Sequence, residues 1–312
     1  MTSHHLAAPE PERSETVALL ALLRAAPGGV RWGDIAQEVK LSGSAQAVLD
    51  RVRGADAALF PDPALDDAVR SADVELGEWE RDGLDLVTVL SGRYPHRLAS
   101  VFDCPPFLFA RGLVVPEDRG MSVVGSRNAS PKGLALARCA AGLLAERGLT
   151  VVSGLAEGID AAAHREALAL GARTVAVLGT GIRRSYPPAN RGLQEQIAAR
   201  GLIISQFYPD QPPTKTTFPM RNVTMSGYGL ATIVADAGEH SGSRIQARRA
   251  ADHGRRVILS ARVVANTRWG AEMASEPGVA VAGSERELAD GIDQVLADSA
   301  ENLLKTLGLA LV

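Results

Sequence analysis

The second half of the chain alternates between short apolar runs and longer segments rich in alanine and leucine. The apolar runs predicted to be strands are 122–124, 150–152, 174–178, 202–204, 231–234 and 256–259. Helical segments such as 133–147 and 161–170 lie between them. This alternation predicts βαβ units and a parallel sheet. The carboxyl ends of the strands then share one edge, where ligands of open α/β sheets bind.

Two further apolar runs lie upstream, at 84–90 and 104–109, and both read as strands. With them, residues 79–298 form the predicted main domain, an extended Rossmann-like parallel-sheet unit of the α/β class. Residues 299–312 are expected to be a C-terminal tail.

The first part of the chain has a different spacing of apolar residues. Apolar residues recur at helix-like intervals over 15–53, with a break at the Pro27-Gly28-Gly29 sequence. This predicts a small helix-turn-helix-like domain over 15–78, in which 54–78 is a connecting segment. The polar residues 1–14 are expected to be a disordered tail. Arg51 and Arg53 are too few to identify a DNA-reading helix, so a packing or interaction domain is favoured.

Composition limits the classes of function. The 312 residues are 46% hydrophobic but carry a net charge of −3, so any nucleic-acid site must be a local patch. Cys104 and Cys139 lack the spacing of a disulfide framework or zinc site. There is neither a secretory signal nor an apolar run of about 18 residues, so a cytoplasmic protein outside the membrane is expected.

The loop after the strand at 122–124 contains Gly125, Ser126 and Arg127, and Ser130-Pro131 then suits the start of a helix. A small-residue loop at a helix N-terminus, with an arginine beside it, can bind an anion. The spacing matches neither a GxGxxG nor a P-loop motif.

The loop after the strand at 150–152 begins with Ser153 and Gly154 and leads to Asp160, which is placed to cap a helix. His164 follows one turn later, where it can pair with Asp160. No nucleophile accompanies the two residues, so a capping aspartate and a packed histidine are favoured over acid–base chemistry.

Three more loops carry cations, glycines or an aromatic ring, at 179–190, 215–222 and 239–244. The loop at 215–222 contains Lys215, Phe218, Arg221 and Asn222. This mixture is typical of single-strand binding, in which cations contact phosphates and an aromatic ring stacks on a base. The loop at 239–244 contains Ser241, Gly242 and Ser243. The sequence lacks paired carboxylates, a nucleophile elbow and metal-ligand spacing. A binding protein is therefore predicted, with no catalytic residue, metal or cofactor.

Together these motifs resemble the DprA/Smf family over about residues 80–260. The resemblance rests on Gly125-Ser126-Arg127, Ser153-Gly-Leu-Ala-x-Gly-Ile-Asp160, Tyr186-Pro187 with Asn190, Phe218-Pro-x-Arg221-Asn222 and Ser241-Gly-Ser243. It implies single-stranded DNA binding, a homodimer formed through the Rossmann-like domain, and delivery of DNA to RecA during transformation or recombination. By matched position, Arg127 would hold a backbone phosphate, and Phe218, Arg221 and Asn222 would shape a pocket for a base and its phosphate. Lys215 lies close to a basic position of the family.

The chain also departs from the family pattern. Val223 stands where another arginine is usual, Gln206 and Asp236 each replace a glutamate, and Ser260-Ala261 replaces Pro-Gly. These changes indicate a divergent member that keeps the pocket and serves another partner. Two other hypotheses stay open. One is a sensor or hydrolase of a nucleotide derivative, with Glu157 as its candidate base. The other is a regulatory or defence protein whose N-terminal unit binds a protein partner or duplex DNA.

Overall fold

The computed structural model describes residues 13–26, 30–56 and 63–306. Most of the tail predicted over 1–14 therefore lies outside the described residues. Its last two residues belong to the first helix, which begins at Arg13. Residues 307–312 of the predicted C-terminal tail also lie outside the described part.

The N-terminal region forms a helical unit. Its helices are α1 (Arg13–Ala25), α2 (Trp32–Ser42), α3 (Ala45–Asp56) and α4 (Pro63–Arg81). The last helix occupies most of the predicted connecting segment at 54–78. The residues it buries are Leu65, Ala68, Ala72, Leu76 and Trp79, spaced three or four apart as on one helix face. Pro63 is compatible with this helix because it lies at its first position, where no backbone N–H is needed.

Within the described ranges, nine strands form a single sheet. They are β1 (Asp85–Thr88), β2 (Phe107–Gly112), β3 (Gly120–Gly125), β4 (Thr150–Ser153), β5 (Thr174–Val177), β6 (Leu202–Ser205), β7 (Ala231–Asp236), β8 (Arg256–Ser260) and β9 (Val279–Ala282). Their order is β1-β2-β6-β5-β4-β3-β7-β8-β9. All neighbouring strands from β6 to β9 are parallel, whereas β1 and β2 are antiparallel to each other and β2 is antiparallel to β6. The predicted α/β class and parallel sheet are confirmed.

The prediction missed β9. This strand has four residues and lies at the edge of the sheet, where most of its side chains remain partly or largely exposed. A short strand of this kind lacks the continuous buried run that marks the central strands.

Helices cover both faces of the sheet. They are α5 (His96–Ala99), α6 (Pro131–Glu146), α7 (Ile159–Ala169), α8 (Arg191–Arg200), α9 (Thr217–Tyr228), α10 (Gly242–Asp252), α11 (Ala261–Asn266), α12 (Arg268–Met273) and α13 (Glu285–Thr306). Helices α6, α7 and α13 share one core layer, and α5, α9, α10, α11 and α12 pack on the opposite face. α13 continues through 299–306, which the sequence assigns to a tail. None of the helices in the described ranges is long and apolar enough to cross a membrane.

An aromatic cluster joins the helical unit to the antiparallel end of the sheet. The rings of Trp79 and Phe109 lie 4.9 Å apart, and Trp32 lies 5.6 Å from Phe107. Tyr208 contacts both tryptophans. The predicted domain boundary between residues 78 and 79 therefore falls within a helix, directly before the tryptophan that anchors that helix to the sheet.

Candidate functional site

The carboxyl edge of the parallel strands contains a cavity of about 660 Å³. The loops after β3 and β7 line it, together with the first turns of α9 and α10. It brings together most of the predicted site residues: Gly125, Ser126, Arg127, Phe218, Arg221, Asn222, Ser241, Gly242 and Ser243. A smaller cavity of about 100 Å³ adjoins it, shares Arg127, Phe218 and Arg221, and adds Gly154.

Arg127 and Phe218 lie at the boundary between the two cavities. The guanidinium carbon of Arg127 is 5.1 Å from the centre of the Phe218 ring, a cation–π contact. The ring of Tyr186 lies 5.7 Å from the same ring, tilted by 45°. Gly179 leaves room for the Phe218 ring, because a Cβ at position 179 would be only 2.6 Å from Phe218 Cδ1. A fixed aromatic surface next to a free guanidinium can accept a base and a phosphate together.

Arg221 is buried and acts as a brace. Its guanidinium donates to the carbonyl oxygens of Gly154 at 2.7 Å and Val177 at 2.9 Å, and its Nε donates to Asn222 Oδ1 at 3.1 Å. Only glycine fits at position 154, since an added Cβ would lie 1.7 Å from an Arg221 nitrogen. Burial lowers the pKa of Arg221, while the nearby Asp160 acts in the opposite direction. This residue ties two strand-ending loops to α9.

Asp160 does not cap α7. Gly158 occupies the capping position with a φ of 76°, and a Cβ there would be 2.2 Å from the carbonyl oxygen of Ser126. Asp160 lies in the first turn, and its Oδ2 accepts hydrogen bonds from the backbone N–H groups of Gly154 and Ala156. Burial raises its pKa, and Arg221 opposes this shift. The carboxyl group therefore holds the preceding loop and not the helix.

His164 is the packed histidine that the sequence predicts. Its Nδ1 lies 2.7 Å from the hydroxyl of Thr174, which itself donates to the carbonyl oxygen of Val151. The hydroxyl must therefore accept from a protonated Nδ1 of neutral imidazole. Burial, and to a smaller extent the charge of Arg221, lowers the pKa of His164 to about 3. The residue is engaged with β5 and not with Asp160.

Two predicted site residues lie outside both cavities. Ser153 is fully buried, and its hydroxyl donates to the carbonyl oxygen of Val123 at 2.6 Å, which links β4 to β3. Lys215 is exposed before α9 and lines neither cavity. The structure therefore gives Ser153 a structural contact and leaves Lys215 on the surrounding surface.

The large cavity also contains residues that the sequence does not single out. Asn128, Glu239, His240 and Gln246 all line it. Asn128 follows directly on the Gly-Ser-Arg motif, so its position in the loop is a signal that the prediction overlooked. Gln246 had no such signal, because only the packing of α10 turns it toward the cavity.

Asp236 orders the loop between β3 and α6. Its Oδ2 accepts hydrogen bonds from the backbone N–H and the hydroxyl of Ser130. Ser130 also caps α6 through the N–H of Gly133, as the sequence predicts. The positions of Ser126, Arg127 and Asn128 thus depend on a carboxylate about a hundred residues further along the chain.

Comparison with known proteins gives consistent relatives for this architecture. The family model of DNA recombination-mediator protein A matches residues 85–293. DNA processing protein DprA of Streptococcus pneumoniae is 41% identical over 173 residues, covering 55% of this chain and 61% of the relative. Its counterpart in Bacillus subtilis is 33% identical over 185 residues, covering 59% and 62%. The aligned part thus spans less than two thirds of these curated relatives.

Solved structures of similar proteins extend the comparison to the fold. The structure of DNA processing protein A from Streptococcus pneumoniae matches with a TM-score of 0.66 and 29% identity, covering 88% of this chain and 94% of the other. That of DNA processing protein A from Helicobacter pylori, described in terms of its single-stranded DNA binding mode, matches with a TM-score of 0.59 and 23% identity. It covers 64% of this chain and 93% of the other, and at this identity the likeness concerns the fold alone. Because the family model spans most of the chain and includes every loop of the site, the protein is a member of the DNA recombination-mediator protein A (DprA/Smf) family.

Proposed function

We propose that this protein binds single-stranded DNA at the carboxyl edge of its sheet and acts in DNA processing and recombination. The observation that carries the proposal is the position of Arg127 over the Phe218 ring, at the boundary of a cavity of about 660 Å³. Arg127 forms no ion pair with any described residue. Its charge is therefore available for a phosphate.

The geometry favours a single strand over a duplex. Stacking on Phe218 requires a base whose face is free, and in a duplex both faces of each base are covered by its neighbours. Around the ring, Ser126, Asn128 and the Ser241-Gly242-Ser243 turn provide hydroxyl, amide and backbone groups for the sugar and phosphate. The binding mode uses groups common to all nucleotides, so weak sequence preference is expected.

The finer parts of the function rest on family membership. The relatives are named DNA processing proteins, which supports a role in recombination or natural transformation. Delivery of the strand to RecA, assembly as a homodimer and a cytoplasmic location belong to the same proposal. Because we assign no catalytic role to the described residues of the site, we propose a binding protein and not an enzyme.

Fluorescence anisotropy with a labelled oligo-dT strand and its duplex, each at two salt concentrations, tests the proposal. The single strand should bind preferentially, and its affinity should fall as salt rises. Phe218→Leu should weaken binding by about 1–3 kcal/mol through loss of stacking. The control is Phe102→Leu, since Phe102 is an exposed phenylalanine that contacts His253 and lines neither cavity. Equal affinity for the duplex, or equal effects of the two substitutions, would contradict the proposal.

One observation supports a second candidate, the nucleotide-derivative hydrolase. Glu157 lines the small cavity together with Arg127 and Phe218, so a carboxylate does face the place where a nucleotide would lie. Incubation with a panel of nucleotides should then give product, and Glu157→Gln should abolish it. An intact panel would exclude this hydrolysis.

A further inference from the structure

A third cavity, of about 310 Å³, lies beside the start of α6, which follows the loop after β3. Lys132 and Arg262 line it together with Ser284, Glu285 and Cys139. It is thus built from the start of α6, the start of α11 and the turn before α13. None of these residues belongs to the site described above.

Arg262 has unusually few partners for a half-buried arginine. Its Nε is shielded from solvent and has no hydrogen-bond partner among the described residues. One terminal nitrogen reaches the Ser130 hydroxyl at 3.4 Å, a long hydrogen bond. By contrast, Arg147 pairs with Asp293 and Arg256 pairs with Asp298. Asp236 reaches Arg262 only through the shared Ser130 hydroxyl, and no described carboxylate contacts the guanidinium directly. A partly desolvated cation of this kind favours an anionic ligand.

Lys132 places a second cation at the same cavity. It is exposed, and it forms no ion pair within the described ranges. Glu285 also lines the cavity. The lysine and the arginine outnumber this one carboxylate, so the lining keeps a net positive charge, and the Ser284 hydroxyl adds a polar group.

The large cavity and this third cavity are close enough to bind one strand. Asn128 lines the large cavity and Lys132 lines the third, and the four-residue separation spans at most about 14 Å of extended chain. Arg262 contacts Ser130, which lies midway between Asn128 and Lys132 in the sequence. A nucleic-acid strand has a phosphate at each nucleotide, so a strand seated in the large cavity and leaving over this loop would bring its next phosphates to the third cavity.

We propose that Lys132 and Arg262 form a second subsite, which binds the backbone phosphate of a nucleotide adjacent to those in the large cavity. This inference rests on the proposed function and gives the strand a direction, from the Phe218 ring across the β3–α6 loop toward α13. Because both cations contact a phosphate and no base, the subsite adds affinity without sequence preference.

The test compares a short strand, a dinucleotide of thymidine, which is too short to fill the large cavity and also reach Lys132, with a long strand, an oligo-dT of about 20 nucleotides, which exceeds the site sizes of single-strand binding domains. Lys132→Ala and Arg262→Ala should each weaken binding of the long strand by about 3- to 5-fold, as expected for partly exposed charges. Each should also lower the slope of log affinity against log salt by about 0.7. Binding of the short strand should be unchanged. Arg138→Ala is the matched control, since it removes an exposed arginine elsewhere on α6.

A gain of affinity gives a test that misfolding cannot imitate. Glu285→Gln removes the one carboxylate of the lining and should tighten binding of the long strand by about 2- to 3-fold, with no effect on the short strand. If Lys132→Ala, Arg262→Ala and Glu285→Gln all behave like Arg138→Ala while the unmodified protein binds both strands, the second subsite is refuted and the proposed function stands. If the unmodified protein binds neither strand, the proposed function itself fails.

Discussion

The helical unit and the carboxyl edge of the sheet both carry arginines, but they use them differently. In the helical unit, six arginines pair with carboxylates of the same unit: Arg13, Arg24, Arg31, Arg51, Arg53 and Arg70. At the sheet edge, Arg127 lies over an aromatic ring, and Arg262 reaches only a serine hydroxyl. The six arginines of the helical unit each have a carboxylate partner, whereas Arg127 and Arg262 form no ion pair with a described residue.

This difference shows why overall charge says little about this protein. A net charge of −3 argues against nucleic-acid binding only if the charges are evenly spread. Over residues 13–81 the sequence contains 12 aspartates and glutamates against 8 lysines and arginines, so the excess negative charge lies in this region, while Arg127 at the sheet edge forms no ion pair with a described residue. The comparison therefore favours DNA binding at the sheet edge over duplex recognition by the helical unit.

The largest effect is expected where the helical unit meets the antiparallel end of the sheet. Trp79 is only 6% exposed and packs against Phe109 and Tyr208. Trp79→Ala should lower the free energy of unfolding by about 3–5 kcal/mol, as for other buried aromatic residues. Urea denaturation measures the loss, and anisotropy should show unchanged binding of oligo-dT under native conditions. Binding lost together with stability would mean that the helical unit takes part in the site.

The second-largest effect is expected from removal of the Arg127 charge. Arg127→Ala deletes a charged donor at the cavity, so the affinity for single strands should fall by about 1.5–3 kcal/mol. Because Arg127 is exposed and braces nothing, the free energy of unfolding should change by less than about 0.5 kcal/mol. Titration of oligo-dT at several salt concentrations should also show a slope reduced by about one. An unchanged affinity would exclude Arg127 from the site.

Lowering the pH should destabilise the folded protein through protonation of His164. The folded pKa of this residue is lowered to about 3 from an ordinary value of 6.5, so the unfolded chain takes up the proton first as pH falls. Its contribution to stability is complete above pH 6.5 and is lost progressively toward pH 3. Between pH 6.5 and 5.5 the loss should be about 1 kcal/mol. Urea denaturation at several pH values should show this slope, and His164→Asn should lack it. Parallel pH profiles would contradict the buried neutral form.

The smallest effect is expected from a paired arginine. Arg51 forms an ion pair with Glu38 on the surface of the helical unit. Arg51→Ala removes the same charge as Arg127→Ala, but the free energy of unfolding should change by less than about 1 kcal/mol. Affinity for oligo-dT should match that of the unmodified protein, measured by the same titration. If the two substitutions weaken binding equally, net charge and not position determines affinity.

Most of the sheet could be predicted from sequence because its central strands are buried on both faces and read as continuous apolar runs. The loops could be predicted for a related reason, since they are the polar and glycine-rich segments between those runs. Helix α4 and strand β9 were not predicted. The prolines near residue 63 suggest a break, and β9 is too short and exposed to be distinguished by its pattern.

Within the site, residue type alone did not distinguish a ligand-binding group from a brace. Arg127 and Arg221 occur in equally basic motifs, yet one is exposed and the other is buried and bonded to two carbonyl oxygens. Asp160 is placed like a helix cap, yet its carboxylate turns back to the preceding loop. These roles depend on which backbone groups lie nearby, and that is a property of the folded chain.

The sequence by itself determined the class of fold, the edge at which the glycine- and cation-bearing loops meet and the motifs that identify the family, because hydrophobic periodicity and strand-ending loops are local. The tertiary structure decided which cations remain free. It places Asp236 on Ser130, Arg221 on Gly154, and Lys132 beside Arg262, pairs that are separated by 67 to 130 residues along the chain. Pairing between residues so far apart is set by packing, and packing thereby decides which arginines have a carboxylate partner and which do not.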